Sequence, residues 1–95
     1  MSNKEAYIEK LEAQLKEWSA KIDELEAKAD KSEEDMKVKY QEEIENLKKK
    51  REEAGSKIDE LKQASDDAWE ELKEGTDNVW NEFKSTFDSV VSKFK

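Results

Sequence analysis

Carboxylates are the side chains of this 95-residue chain whose grouping could support chemistry. Aspartate and glutamate together number 26, and they cluster at Glu33-Glu34-Asp35 and at Asp66-Asp67. Such groups could bind a divalent cation or act as general acid and base. A calcium loop of the EF-hand kind, however, needs ligands at alternating positions around a central Gly, and neither cluster has that spacing. We therefore expect no metal site.

Two residue types that many active sites need are missing. The chain contains no His, the usual general base near neutral pH, and no Cys, the usual thiol nucleophile. It also lacks a glycine-rich phosphate loop and a nucleophile motif. We predict a protein that is not an enzyme, with no catalytic residue and no cofactor.

The basic cluster Lys48-Lys49-Lys50-Arg51 could bind phosphate or nucleic acid. It fills one helical turn, so its charges point to all sides, and acidic residues flank it. The whole chain carries a formal charge of −8. Binding to a phosphate backbone depends on clustered positive charge, so we expect no nucleic-acid partner and interpret the cluster as a solvated face.

The apolar residues of the first third define the element that must carry these charges. They recur at alternating intervals of three and four, which places them on one face of a helix and is typical of a coiled coil. This heptad stripe comprises Ile8, Leu11, Leu15, Trp18, Ile22, Leu25, Ala29, Ser32 and Met36.

The pattern continues beyond Met36 with one irregularity. Steps of four through Tyr40 and Ile44 form a stutter, which relaxes a left-handed supercoil locally. Heptads then resume, with a charged residue at one stripe position: Leu47, Arg51, Ala54, Ile58 and Leu61. A polar residue there weakens packing and helps to fix register or partner number.

Two positions could interrupt this helix. Ser32-Glu33-Glu34-Asp35 has the outline of a capping box, and Gly55 is a weak helix former. The stripe passes both positions in phase, so we predict one helix from about Asn3 to Ala64. A turn near Lys31 is the alternative.

A helix boundary is clearest at Ser65-Asp66-Asp67, where a Ser cap precedes two acids. From Lys57 onward the chain repeats every eleven residues, close to three helical turns, which predicts a nearly straight apolar face. Segment 65–95 supplies most of that face through Trp69, Leu72, Val79, Trp80, Phe83, Phe87, Val90 and Phe94.

This aromatic face suits helix packing or a membrane surface. Lys84 and Lys93 would favour an anionic bilayer, but the acids of the first half would repel one, among them Asp66, Glu70 and Glu74. We therefore favour packing against the heptad helix or a second subunit, and keep the membrane surface as the lesser alternative.

Several stretches carry a resemblance to known proteins. EAYIEKLEAQLKEW, KIDEL, AWEELK and VWNEFK together resemble short bacterial proteins known as coiled-coil-domain proteins. The eleven-residue repeat looks like the repeats of late-embryogenesis-abundant proteins and exchangeable apolipoproteins. The first resemblance implies a helical coiled coil and no particular activity, whereas the second implies desiccation protection or lipid association.

The sequence therefore predicts an all-α protein: a heptad coiled-coil helix in segment 1–64, then an amphipathic helix in segment 65–95. A stripe this long needs a partner, so we expect a homo-oligomeric helical bundle, with a helix of another protein as a possible hetero-partner. A monomeric antiparallel three-helix bundle with turns near Lys31 and Ser65 is the alternative.

The predicted role is structural or scaffolding, through helix–helix association. A peripheral membrane-surface or stress-protective protein is the alternative. The first residues lack the apolar core of a signal peptide, and no stretch has the length of a membrane span, so we expect a cytoplasmic location.

Overall fold

The computed structural model describes residues 2–94, which form three helices and no strand: α1 (Asn3–Asp30), α2 (Glu34–Gln63) and α3 (Trp69–Lys93). The all-α prediction is confirmed, and the architecture is the three-helix bundle predicted as the alternative. Ion pairs Glu12–Lys62 and Glu26–Lys48 show that α2 runs antiparallel to α1. Helix α3 runs antiparallel to α2 and hence parallel to α1, in a bundle of 51 × 20 × 18 Å.

The single helix predicted from Asn3 to Ala64 is wrong, because the chain turns back after Asp30. The heptad spacing of the stripe does not reveal this turn, for a simple physical reason. A heptad interval counts residues and carries no information on their backbone conformation. A three-residue turn therefore leaves Met36 seven residues after Ala29, as a continuous helix would.

The turn at Lys31–Glu33 closes on the end of α1. The Ser32 N–H donates to the Ala29 carbonyl at 3.1 Å, and the Ser32 hydroxyl donates to the Lys28 carbonyl at 3.0 Å. The residue that caps α2 is Glu33, in an extended conformation with φ −62° and ψ 151°. Ser32 thus completes α1 instead of capping α2.

The turn at Ala64–Ala68 contains the predicted Ser65 cap, but α3 begins later than predicted, at Trp69, so Asp66 and Asp67 lie in the turn and not in the first turn of the helix. The Ser65 hydroxyl accepts a hydrogen bond from the Ala68 N–H at 3.2 Å, and its carbonyl accepts from Ala68 and Trp69. The Ser65 cap therefore begins a turn that leads directly into α3. The Lys4 ammonium donates to the Ala64 carbonyl and so connects this turn to the start of α1.

The hydrophobic core runs along the bundle axis and draws on all three helices. Helix α2 passes through Gly55 without a break, as predicted. Its backbone lies close to both neighbours, whereas the backbones of α1 and α3 approach each other at few points. Helix α2 is thus the central element, and large side chains must fill the space between α1 and α3.

Candidate interaction surface

Most of the predicted interaction residues lie in the core of their own chain. Those more than nine-tenths buried are Ile8, Leu11, Ile22, Leu25, Ile44, Leu47, Ile58, Leu61, Trp69, Val79, Trp80, Phe83, Phe87 and Val90. Leu15, Trp18, Tyr40, Leu72 and Phe94 are partly buried and pack against that core. Only Met36 of the predicted set is exposed. The heptad stripe and the aromatic face therefore cover each other within one chain.

Aromatic rings fill the space between α1 and α3. The Trp18 ring lies 4.7 Å from that of Phe83 and 6.4 Å from that of Trp80, in tilted arrangements. Tilted pairs at such distances add to the energy of simple burial. Trp18 of the heptad stripe and Trp80 of the aromatic face thus meet across this contact.

Tyr7 makes the polar connection between α1 and α3. Its hydroxyl donates to the Asp77 carboxylate, and its ring lies 5.8 Å from the Trp69 ring. Partial burial, and then the hydrogen bond and negative charge of Asp77, raise the pKa of Tyr7 well above its ordinary value. The hydroxyl therefore stays protonated at neutral pH and acts as a hydrogen-bond donor. Sequence reasoning missed Tyr7 because it lies beside the stripe.

A cleft of about 430 Å³ separates α1 from α3 beside these rings, with Lys10 and Lys84 in its lining. Trp80 also lines the cleft, and its buried Nε1 has no hydrogen-bond partner in the part of the chain that the structure describes. Leaving such a donor unpaired costs about 1–3 kcal/mol.

Three residues of the basic cluster at 48–51 form ion pairs within the bundle. Lys48 and Arg51 contact acids of α1, and the Lys50 ammonium lies 3.2 Å from a carboxylate oxygen of Glu82 on α3. The hydrogen bond that the Lys48 ammonium donates to the Glu26 carboxylate raises the pKa of Lys48. Exposed pairs of this kind add little stability, but they take up positive charge that a phosphate ligand would need.

The acidic clusters do not come together as a metal site. Over residues 2–94, no group of three or more acidic side chains is placed to hold a metal ion. Glu34 and Asp35 occupy the first turn of α2, where negative charge is favourable at the positive end of the helix dipole. None of the helices in this range is long and apolar enough to cross a membrane.

The exposed apolar surface lies at the start of α2. Met36 is 39 % exposed and Val38 is 60 % exposed. We call residues 34–40 the α2 tip. Tyr40, at the inner end of the tip, stacks on Phe94, which directly follows α3, with 4.2 Å between the ring centroids. Sequence reasoning missed Val38 because it does not belong to the stripe.

Comparison of the chain with protein-family models, with curated proteins and with solved structures yields no significant match. The function must therefore be inferred from the residues themselves.

Proposed function

We propose that this chain is a non-enzymatic structural or scaffolding protein that acts through helix–helix association, with itself or with a helix of another protein. The observation that supports this role is the α2 tip. Met36 continues the heptad stripe, yet it is exposed, and Val38 adds further apolar surface beside it. Exposed apolar side chains at stripe positions are what a partner helix would cover.

The composition also favours association over catalysis. The chain has neither His nor Cys, and several of its carboxylates pair with Lys residues on helix surfaces. Groups paired in this way are solvated and lack the desolvated surroundings that tune a catalytic acid or base.

Light scattering coupled to size exclusion, from low micromolar to millimolar protein, tests this role. We expect concentration-dependent self-association that Met36→Lys weakens, because a charge would be buried in the contact. Gln63→Lys adds the same charge at the exposed far end of α2 and should leave association unchanged. Association equally strong in the Met36→Lys variant would contradict the role of the tip.

The membrane-surface alternative has one observation in its favour. The backbones of α1 and α3 approach at few points, so the contact that α3 would lose on leaving α1 is made mainly by side chains. Departure would uncover Trp80 and Phe87, which are 6 % and 7 % exposed in the bundle. Flotation with anionic liposomes tests it: binding lost in Trp80→Glu and Phe87→Glu, but kept in the exposed-site control Ser85→Glu, would favour this role over scaffolding.

A further inference from the structure

Helices α1 and α2 keep one antiparallel register along their length. Three ion pairs mark it: Glu12–Lys62, Asp23–Arg51 and Glu26–Lys48. From one pair to the next, the residue number rises along α1 by as much as it falls along α2, so the two helices stay in one register. Nearer the turn, Asp30 lines a cleft with Gln41 and Ile44. Helix α1 therefore ends level with residues that follow the α2 tip, and the tip extends beyond it.

The α2 tip consequently has a partner on one side only. Helix α3 covers Tyr40, whose hydroxyl also donates to the Lys93 carbonyl at 3.3 Å. On the side where α1 would lie, the stripe residue Met36 remains exposed. Because α1 ends level with Ile44, this side of the tip lies on the continuation of the α1 axis.

The turn that separates α1 from the tip contains only residues that a helix accepts. Lys31, Ser32 and Glu33 include no Gly or Pro. Lys31 is already in the right-handed helical region at φ −92° and ψ −4°, and Glu33 needs a change mainly in ψ to join it. Positive φ values are absent from the described backbone, this turn included. Because the heptad phase is unbroken here, straightening the turn would put Ala29, Ser32 and Met36 on one face.

We propose that two copies of this chain exchange α1, with residues 31–33 becoming helical. In the exchanged dimer, residues 3–63 form one helix, and each α1 packs on α2 and α3 of the other copy in the register described above. The contacts of the single-chain core are reproduced between chains, which is why such exchange costs little. This inference rests on the proposed helix–helix association and names its partner as a second copy.

The exchange also supplies the helix that the α2 tip lacks. With the register kept, the two tips lie antiparallel around a twofold axis close to Met36, so that each Met36 covers the other. The register described above places Asp35 of one copy level with Lys39 of the other, on either side of the twofold axis. Opposite charges therefore flank the new apolar contact, as in coiled coils that specify their partner.

Glu34→Pro distinguishes the two states. Pro is favoured in the first turn of a helix, and the preceding residue, Glu33, already has the extended conformation that Pro requires. The single chain should therefore fold normally. In the exchanged dimer the same Pro lies inside a long helix, where it is strongly unfavourable. Each substituted helix should lower the dimerisation constant about 100-fold. Because the dimer contains two such helices, we expect a total fall of about 10⁴-fold. The control Glu34→Ala removes the same charge but fits both states.

The experiment refolds the full chain from denaturant at millimolar concentration and measures the dimer fraction by light scattering. A second measurement tests exchange directly, since the natural chain has no Cys. A Glu26→Cys chain and a Lys48→Cys chain are refolded together and oxidised. Exchange should give a mixed disulfide dimer, because these positions meet across the α1–α2 contact. A mixture of Glu26→Cys and Lys62→Cys chains is the control, since these positions lie about four turns apart along the pair.

Each result decides the proposal. Dimers that are lost in Glu34→Pro, kept in Glu34→Ala and crosslinked selectively between positions 26 and 48 support exchange. Dimers insensitive to Glu34→Pro, or without that crosslink, overturn exchange but leave association through another surface, and thus the proposed function, intact. A natural chain that remains monomeric after millimolar refolding overturns exchange and self-association together.

Discussion

The two turns of the bundle are built on different principles. The turn at Ala64–Ala68 has a side-chain cap from Ser65, a bond from Lys4 to its backbone, and the buried Trp69 directly after it. In the turn at Lys31–Glu33, Lys31 and Ser32 donate to the last turn of α1 and the Glu33 carbonyl accepts from the first turn of α2, while the apolar residue that follows, Met36, is exposed. The second turn thus contacts all three helices, whereas the first is bonded only to the two helices that it joins.

This difference indicates which of the two turns could straighten while the core contacts are kept. Capping and burial act together at the second turn, so straightening it would break contacts with α1 as well as expose a large ring. Straightening the first turn would break a few local hydrogen bonds and uncover no core residue at its centre. We therefore regard the second turn as a fixed connection and the first as a hinge.

The largest expected difference between the turns concerns their apolar neighbours. Trp69→Ala removes a buried ring that packs on Tyr7, so we expect the free energy of unfolding to fall by about 3–5 kcal/mol. Met36→Ala removes an exposed side chain and should change it by about 0.5 kcal/mol or less at low micromolar protein. Urea unfolding followed by circular dichroism measures both. Similar losses of unfolding free energy in the two variants would show that both turns are held by buried apolar contacts.

The two serines give a smaller contrast. Ser65→Ala removes a capping oxygen and should cost about 1 kcal/mol, because the Ala68 N–H loses its side-chain acceptor. The Ser32 hydroxyl only donates to the Lys28 carbonyl at the end of α1, so Ser32→Ala should change stability by about 0.5 kcal/mol or less. Thermal unfolding of the two variants side by side tests this. A larger loss for Ser32→Ala would reverse our assignment of the hinge.

The smallest effect is a pH dependence near the second turn. The folded chain raises the pKa of Tyr7 above its unfolded value of about 10. The unfolded chain then loses the Tyr7 proton first, so this contribution to stability is complete below about pH 10 and is lost as pH rises above it. Urea midpoints between neutral and strongly alkaline pH should show this fall in the natural chain and in Tyr40→Phe. If Tyr7→Phe showed the same fall, the Asp77 contact would not be its cause.

The sequence predicted the turn that has a local chemical signal and missed the one that has none. A Ser followed by two acids is a local signal for a helix boundary. The Ser65 hydroxyl does accept from the Ala68 N–H, although α3 itself begins only at Trp69. At the first turn the capping-box outline was present, but the stripe spacing argued against a break. Spacing reports which face is apolar, whereas a three-residue turn changes direction without changing that face. Here Ser32 completes α1 and Glu33 caps α2.

The stripe residues themselves were predictable, but what covers them was not. Ile22, Leu47 and Phe83 were all predicted to pack, and each is completely buried. A pattern of apolar positions states that a face must be covered, and a helix of the same chain satisfies it as well as a helix of another. Tyr7 could not be found from the pattern, since its partner Asp77 lies 70 residues away along the chain.

The Trp18–Trp80 contact gives the protein an optical signature of its own. The two indoles lie 6.4 Å apart with their planes at 37°, close enough for their electronic transitions to couple and produce a paired band in circular dichroism. That band would vanish if α3 left α1, yet it would survive any rearrangement that preserves their parallel contact. The unlabelled chain thus carries an absorbing pair that reports the closure of its own bundle.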